Sequence, residues 1–272
     1  MNRKYSVVMS VYFKDNPQWL SIAVDSLLDQ SVVSDNIIIV ADGPLTPSLD
    51  SVLKQYKDLN NISIYRLKVN QGLGNALNFG IKKSRNELIA RMDADDISVS
   101  NRFELQLAEF KSNTKLDILG GQISEFYHDP NKITSHRKVP TTQLEIEKFA
   151  RRRNPFNHPT VMYKKTTILR LGLYDINAIR IEDYDLWLRA LHNQCVCSNL
   201  DMVLVHYRST LNSMKRRKTF ISLKNHIQAR TKFYSRKYIS FIDLCYGIFT
   251  QIILFLLPTK IATIIFSKVA RI

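Results

Sequence analysis

The stretch ELIARMDADD, residues 87–96, decides how this chain is read. Glu87 to Met92 is short and largely apolar, as a buried strand is, so Asp93, Asp95 and Asp96 emerge where that strand stops. In an open α/β sheet, ligands bind at the carboxyl ends of the strands. Three acids within four residues repel one another unless something positive joins them. A hard divalent cation with oxygen ligands, holding a diphosphate on its far side, is the natural partner. A D-x-D is also an ordinary polar turn, with an aspartate capping the next helix.

Upstream of this stretch the pattern alternates. Tyr5–Val11 reads as a strand covered on both faces, and Asn16-Pro17 starts a helix with Trp19, Ile22, Ala23 and Leu27 facing inward. Residues 37–40 form a second buried strand ended by Ala41-Asp42-Gly43-Pro44, followed by a helix near 47–56 and a strand at 62–69. Asn70-Gln71-Gly72-Leu73-Gly74-Asn75 then opens a helix reaching roughly Ser84. This β-α-β-α order implies an α/β fold with a mostly parallel, doubly wound sheet. Beyond residue 115 the pattern loosens. Strands are expected at 117–127, 160–164 and 202–207, with helices at 142–153 and 182–191, as mixed additions to the sheet.

Composition bounds the class. A chain of 272 residues with 45% hydrophobic and 23% charged residues is a folded protein, one large domain or a domain with an appendage. Three cysteines, Cys195, Cys197 and Cys245, form no disulfide framework and lack zinc spacing, so the expected state is reduced and cytosol-facing. The N-terminal apolar run is too short for a signal peptide.

The net charge of +15 is uneven. From Tyr207 to Ile272 there are 13 Lys/Arg and one acid, Asp243, which leaves only +3 for the preceding residues. Such a tail seeks a polyanion, either nucleic acid or an anionic membrane. Its hydrophobicity favours the membrane: residues 239–257 are mostly apolar but carry Asp243 and Gln251, and Pro258 ends them. Helices lying in the interface fit better than one spanning helix, with an ordinary buried helix as the alternative.

Several motifs carry chemistry. Asp42, after the second strand, sits at the same edge as Asp93 and offers a carboxylate to a base or ribose. Gly72-Leu73-Gly74 before a helix suits close approach of a phosphate, though it lacks the third glycine of a dinucleotide fingerprint and the lysine of a P-loop. Glu182-Asp183 opens a helix, where acids favour the dipole, or faces a bound donor from the opposite wall to take a proton from an attacking hydroxyl. Arg151-Arg152-Arg153 precedes the rigid loop Asn154-Pro155-Phe156-Asn157-His158-Pro159. Three guanidiniums there suit a phosphorylated acceptor or simply solvent.

SVVMSVYF, ADGP, NQGLGNALNFGI, RMDADD, NPFNHPTVMYKK and EDYDLWLRA stand in an order and spacing that resemble a family 2 glycosyltransferase of the GT-A fold. Within it the chain is similar to bacterial enzymes of O-antigen and capsule assembly. The resemblance spans roughly residues 4–210 and implies a catalytic domain at 1–210. Its nucleotide half would be 1–115 and its acceptor half 116–210, with a membrane-association segment at 211–272. It implies an inverting hexosyl transfer, glucose or galactose, from a UDP-sugar with Mn(II) or Mg(II). The acceptor would be a saccharide on a polyprenyl diphosphate at the cytoplasmic face of the inner membrane, with no nucleic acid partner.

Ser10, Val11, Tyr12, Asp42, Gly72, Asn75, Arg91, Asp93 and Asp95 would bind the nucleotide sugar, Asp95 and Asp93 the metal. Asp183, beside Glu182, would be the base, and His158, Asn157, Arg153 and Trp187 would meet the acceptor. Relatives carry a metal-binding histidine just after the Tyr-Arg of the last strand. Here His206 precedes Tyr207-Arg208, a departure from that pattern. Two other classes are carried forward: a nucleotidyltransferase acting on a sugar phosphate, and a non-catalytic basic adaptor for membrane or nucleic acid.

Overall fold

In the computed structural model, residues 4–209 and 219–258 are described. Strands β1 (Tyr5–Val11), β2 (Asn36–Ala41), β3 (Ile62–Arg66) and β4 (Leu88–Asp93) are parallel neighbours in the order β3-β2-β1-β4. All of β2 is buried, as its run Ile37–Val40 requires. Helices α1 (Pro17–Leu28), α2 (Pro47–Tyr56) and α3 (Leu73–Lys83) make the crossovers. Asn16 caps α1 by accepting from the amides of Gln18 and Trp19, and Thr46 caps α2. Gly80 lets α3 lie close on the sheet, because a Cβ there would stand 2.5 Å from Val8 Cγ1.

The sheet continues with mixed pairings through β8 (Met162–Lys164), β6 (Ile118–Phe126), β9 (Cys197–Arg208) and β5 (Ile97–Ser98), and β7 (Ser135–Arg137) pairs with β6. One nine-stranded sheet thus runs through both expected halves. Strand β9 begins five residues before the expected 202, because the exposed Asp201-Met202 pair is a bulge that interrupts it: the partner register slips around Gln122. Helices α4 (Arg102–Ser112) and α6 (Lys165–Arg170) and the short β5 and β7 were not legible in the pattern. The remaining helices are α5 (Gln143–Ala150), α7 (Glu182–His192), α8 (Phe220–Ser235) and α9 (Phe241–Leu256).

Two apolar clusters lie on the two faces of the sheet, and a third joins Ala150, Tyr184 and Leu188 to Ala229, Phe233, Ile239 and Leu244. The C-terminal helices α8 and α9 therefore pack on α5 and α7. No helix among the described residues is long and apolar enough to cross a membrane. The basic run at 215–218 and the segment 259–272, both part of the membrane expectation, lie outside the described residues.

Candidate active site

The register places the candidate residues along one edge of the parallel strands. Ser10 pairs with Asp93 and Val11 with Ala41, so the ends of β1, β2 and β4 come level. Asp42 follows at once. Its two oxygens accept from the amides of Gln71 (2.7 Å) and Gly72 (2.9 Å), and its carbonyl accepts from Asn70 Nδ2. Asp42 thus clamps the glycine turn onto the sheet edge. Gly72, at φ +88°, is the N-cap of α3 and provides no side-chain cap for it. The first amides of α3 therefore stay available to an anion. Asn75, in the first turn, donates to the carbonyl of Gln71.

Asp93, Asp95 and Asp96 bring one ligand oxygen each within 4.8 Å of one another. Burial, then the Asp93 charge, raises Asp95 to about 6. Asp96 is fully buried and lies well above its ordinary value through burial and the charges of Asp95 and Asp93. One Asp96 oxygen accepts from the Arg208 amide at 2.9 Å, and the other makes no hydrogen bond. Three crowded carboxylates with hydrogen-bonding capacity to spare fit a hard divalent cation. The chemistry of the donor set matches Mn(II) or Mg(II) without choosing between them.

Two arginines hold this edge. Arg91 and Asp93 are two residues apart on one strand, hence on one face, and form an ion pair. Arg91 is 2% exposed, and its Nε and Nη1 lack hydrogen-bond partners. Its charge is felt at Asp95 and Asp96 and also at Glu182 and Asp183, favouring each ionised carboxylate. Arg102, buried under β4, donates to the Arg91 carbonyl at 2.9 Å, and burial lowers it to about 9. Arg208 donates to the Asp95 carbonyl and stacks between Trp19 and Phe126, with centroid distances of 4.7 and 4.5 Å.

The second acidic group opens α7. Asp183 accepts from Asn154 Nδ2 at 2.6 Å and from the Tyr184 amide at 2.8 Å. Burial raises it nonetheless above the ordinary aspartate value. Glu182 is pushed to about 7 by burial and by Asp183, and its Oε2 has no hydrogen-bond partner. Buried polar atoms without partners are rare in native proteins. Here Arg91, Asp96 and Glu182 hold four of them between them, around one charge.

Three of the expected site residues lie apart from the two acid groups. His206 is not grouped with the aspartates: its Nδ1 is hydrogen-bonded with Ser124 Oγ at 2.6 Å, and Asp96 completes the carboxylate set instead. Trp187 is fully buried, packed on Phe156 and His158, because it lies on the α7 face turned to the sheet. Asn157 is 1% exposed and ties its loop to β6 by donating to the Gly121 carbonyl at 2.8 Å. Trp187 Nε1 and Asn157 Oδ1 make no hydrogen bond. His158 shares a hydrogen bond with the Tyr174 hydroxyl, and burial, helped by Arg91, keeps its imidazole neutral. Arg152 is bound to Asp243 at 2.8 Å, and Arg153 stacks on Phe149, so the three arginines do not act as one phosphate clamp. Asn154 lay inside a quoted motif without a role of its own, and Arg102 carried no local signal.

A glycosyl transferase family 2 model matches residues 6–175. A curated relative from Escherichia coli, UDP-Gal:alpha-D-GlcNAc-diphosphoundecaprenol beta-1,3-galactosyltransferase, is 40% identical over 98% of this chain and 97% of its own length. The amylovoran biosynthesis glycosyltransferase AmsE of Erwinia amylovora is 31% identical over 97% of this chain and 98% of its own. The structure of S. aureus TarS 1–349 in complex with UDP-GlcNAc superposes with a TM-score of 0.66 at 16% identity, over 85% of this chain and 66% of that one. At that identity the likeness speaks for the fold.

Proposed function

The chain belongs to glycosyl transferase family 2, and from that premise we propose that it moves a hexose from a UDP-sugar to an N-acetylhexosamine carried on a lipid diphosphate, with inversion. As a glycosyltransferase it is neither the nucleotidyltransferase nor the adaptor weighed above. Galactose is the donor sugar favoured by the E. coli relative, whose name states UDP-Gal and a GlcNAc-diphosphoundecaprenol. The product belongs to surface-polysaccharide assembly, and the place of work is the cytoplasmic face of a bacterial inner membrane, at its surface.

The observation that carries the reading is the buried Arg91 guanidinium, ion-paired with Asp93, whose charge favours the ionised carboxylates of both Asp95/Asp96 and Glu182/Asp183. Asp93, Asp95 and Asp96 would hold a divalent cation, which when bound supplies Lewis-acid stabilisation of the departing diphosphate. The open α3 N-terminus after Gly72 and the unspent Arg91 donors favour the same negative charge. On the other wall Asp183, steered by Asn154, takes the proton of the attacking acceptor hydroxyl. One in-line displacement inverts the anomeric centre, with no enzyme-bound sugar in between. Glu182, raised to about 7, shares the charge of this wall and titrates close to neutrality.

UDP release measured across a panel of UDP-sugars with Mn(II) and a synthetic GlcNAc-diphosphate-lipid acceptor tests the proposal. Acceptor-dependent release with UDP-galactose, cut at least about 100-fold in both Asp183→Asn and Asp95→Asn, is expected. Release untouched by Asp183→Asn would remove the base assignment. No transfer from any UDP-sugar by folded protein would remove the donor class.

A further inference from the structure

Helix α9 has its polarity inside out. The residues it turns inward include Asp243, Gly247 and the partly buried Gln251, while Ile242, Tyr246, Phe249, Ile253 and Leu256 face solvent at successive steps of four and three residues. Phe241 and Ile252 widen this stripe, and Phe241, Ile242, Phe249 and Leu256 are each 61–71% exposed. At 16 residues the helix is about 24 Å long. That is too short to span a bilayer of ~30 Å. Its inward side is fixed by Leu244 in the third apolar cluster and by the Asp243–Arg152 ion pair, so the helix cannot roll its apolar face away from water.

Charge identifies what covers the face. The only acid of 219–258, Asp243, is buried and paired; Lys224 and Lys237 lie on the helix pair, while Lys232 and Arg236 are ion-paired with Asp175 and Asp185 of the preceding residues. A second copy would set two 219–258 segments face to face, each with five Lys/Arg against the single buried Asp243, and the charged flanks that pair coiled-coil helices are missing from α9. The stripe is also broader than a coiled-coil seam. A cavity of about 560 Å³ opens at the α8–α9 turn beside Phe241, lined by Arg151, Lys237, Tyr234 and Tyr238 among others. Cations and phenols there suit a phosphate.

We infer that α9 lies in the plane of an anionic bilayer, with Ile242, Phe249 and Leu256 immersed and the Arg151–Lys237 cavity at the level of the lipid phosphates. This gives the membrane contact of the proposed function its surface, and it holds whether or not the transfer chemistry is as proposed. Amphipathic helices with aromatic and aliphatic faces and basic surroundings bind such interfaces.

The test is co-sedimentation of the full chain, without substrate, with vesicles of phosphatidylethanolamine and phosphatidylglycerol. Binding is expected to fall at least tenfold on neutral phosphatidylcholine vesicles and at least tenfold in Ile242→Glu/Phe249→Gln. Both positions are exposed, so the variant keeps the parent's circular dichroism and melting temperature. Equal binding by parent and variant overturns the assignment of this face, and equal binding to neutral vesicles overturns the anionic requirement. A parent dimer in sedimentation velocity, split by the same variant and without vesicle binding, would make the occupant a second copy.

Discussion

Replacing Gly247 by alanine sets two effects of known size against each other. Gly247 sits mid-way along α9, where glycine is about 1 kcal/mol worse than alanine, so propensity alone makes the variant more stable. A Cβ at this position, however, would stand 2.7 Å from Arg230 Nε and 2.9 Å from its Cζ. Arg230 is 3% exposed. It donates to the carbonyls of Arg151 (2.8 Å) and Arg152 and lies over the Tyr184 ring. Displacing it forfeits one or both charge-assisted hydrogen bonds, about 1.5–3 kcal/mol each, and leaves orphan carbonyls after α5. The balance is a loss of about 0.5–5 kcal/mol in urea unfolding. In an Arg230→Ala background the obstacle is gone, and the same Gly247→Ala change becomes stabilising by about 1 kcal/mol. Asn154, the partner of Asp183, lies two residues beyond Arg152, so turnover falls in the single variant as well. A Gly247→Ala protein as stable as the parent, or a cost unchanged in the Arg230→Ala background, would refute the reasoning.

Glu182→Gln should change how stability follows pH. Glu182 is raised from 4.5 to about 7, so its contribution is fully present below 4.5 and is lost as pH rises through 7. The Gln variant has nothing to lose there and gains about 1–3 kcal/mol on the parent between pH 5 and pH 8; parallel unfolding curves would sink this. Trp187→Phe should cost about 1–3 kcal/mol of stability through lost packing while the acceptor KM stays within twofold, since the indole is fully buried. A KM rise of tenfold would return Trp187 to the acceptor site. His206→Gln should leave the metal-activation curve where it is, because the imidazole is engaged with Ser124; a tenfold shift in the metal concentration for half activity would restore it as a ligand.

The alternation of buried runs and helices up to Asp93 was readable because each signal is a local matter: β-branched runs for β1 and β2, and Asn16-Pro17 for the start of α1. Local order also placed Asp42, Gly72 and Asp93 at one edge, since parallel strands end together. Beyond residue 115 such signals fail. Strand β9 was half-hidden by its Asp201-Met202 bulge, and α7 shows helical periodicity that cannot say which face meets the sheet. That is why Trp187, an aromatic close after Glu182 and Asp183, was expected at the acceptor and lies in the core.

By itself, then, the sequence determined the fold class, the acid pairs and the charged tail, because these rest on residue type and short-range spacing. Only tertiary structure set His206 apart from the three aspartates, brought the charge of the buried Arg91 to bear on both acid groups and turned the apolar face of α9 outward. Those choices depend on burial and on contacts between residues as far apart as Arg152 and Asp243, which no local pattern encodes.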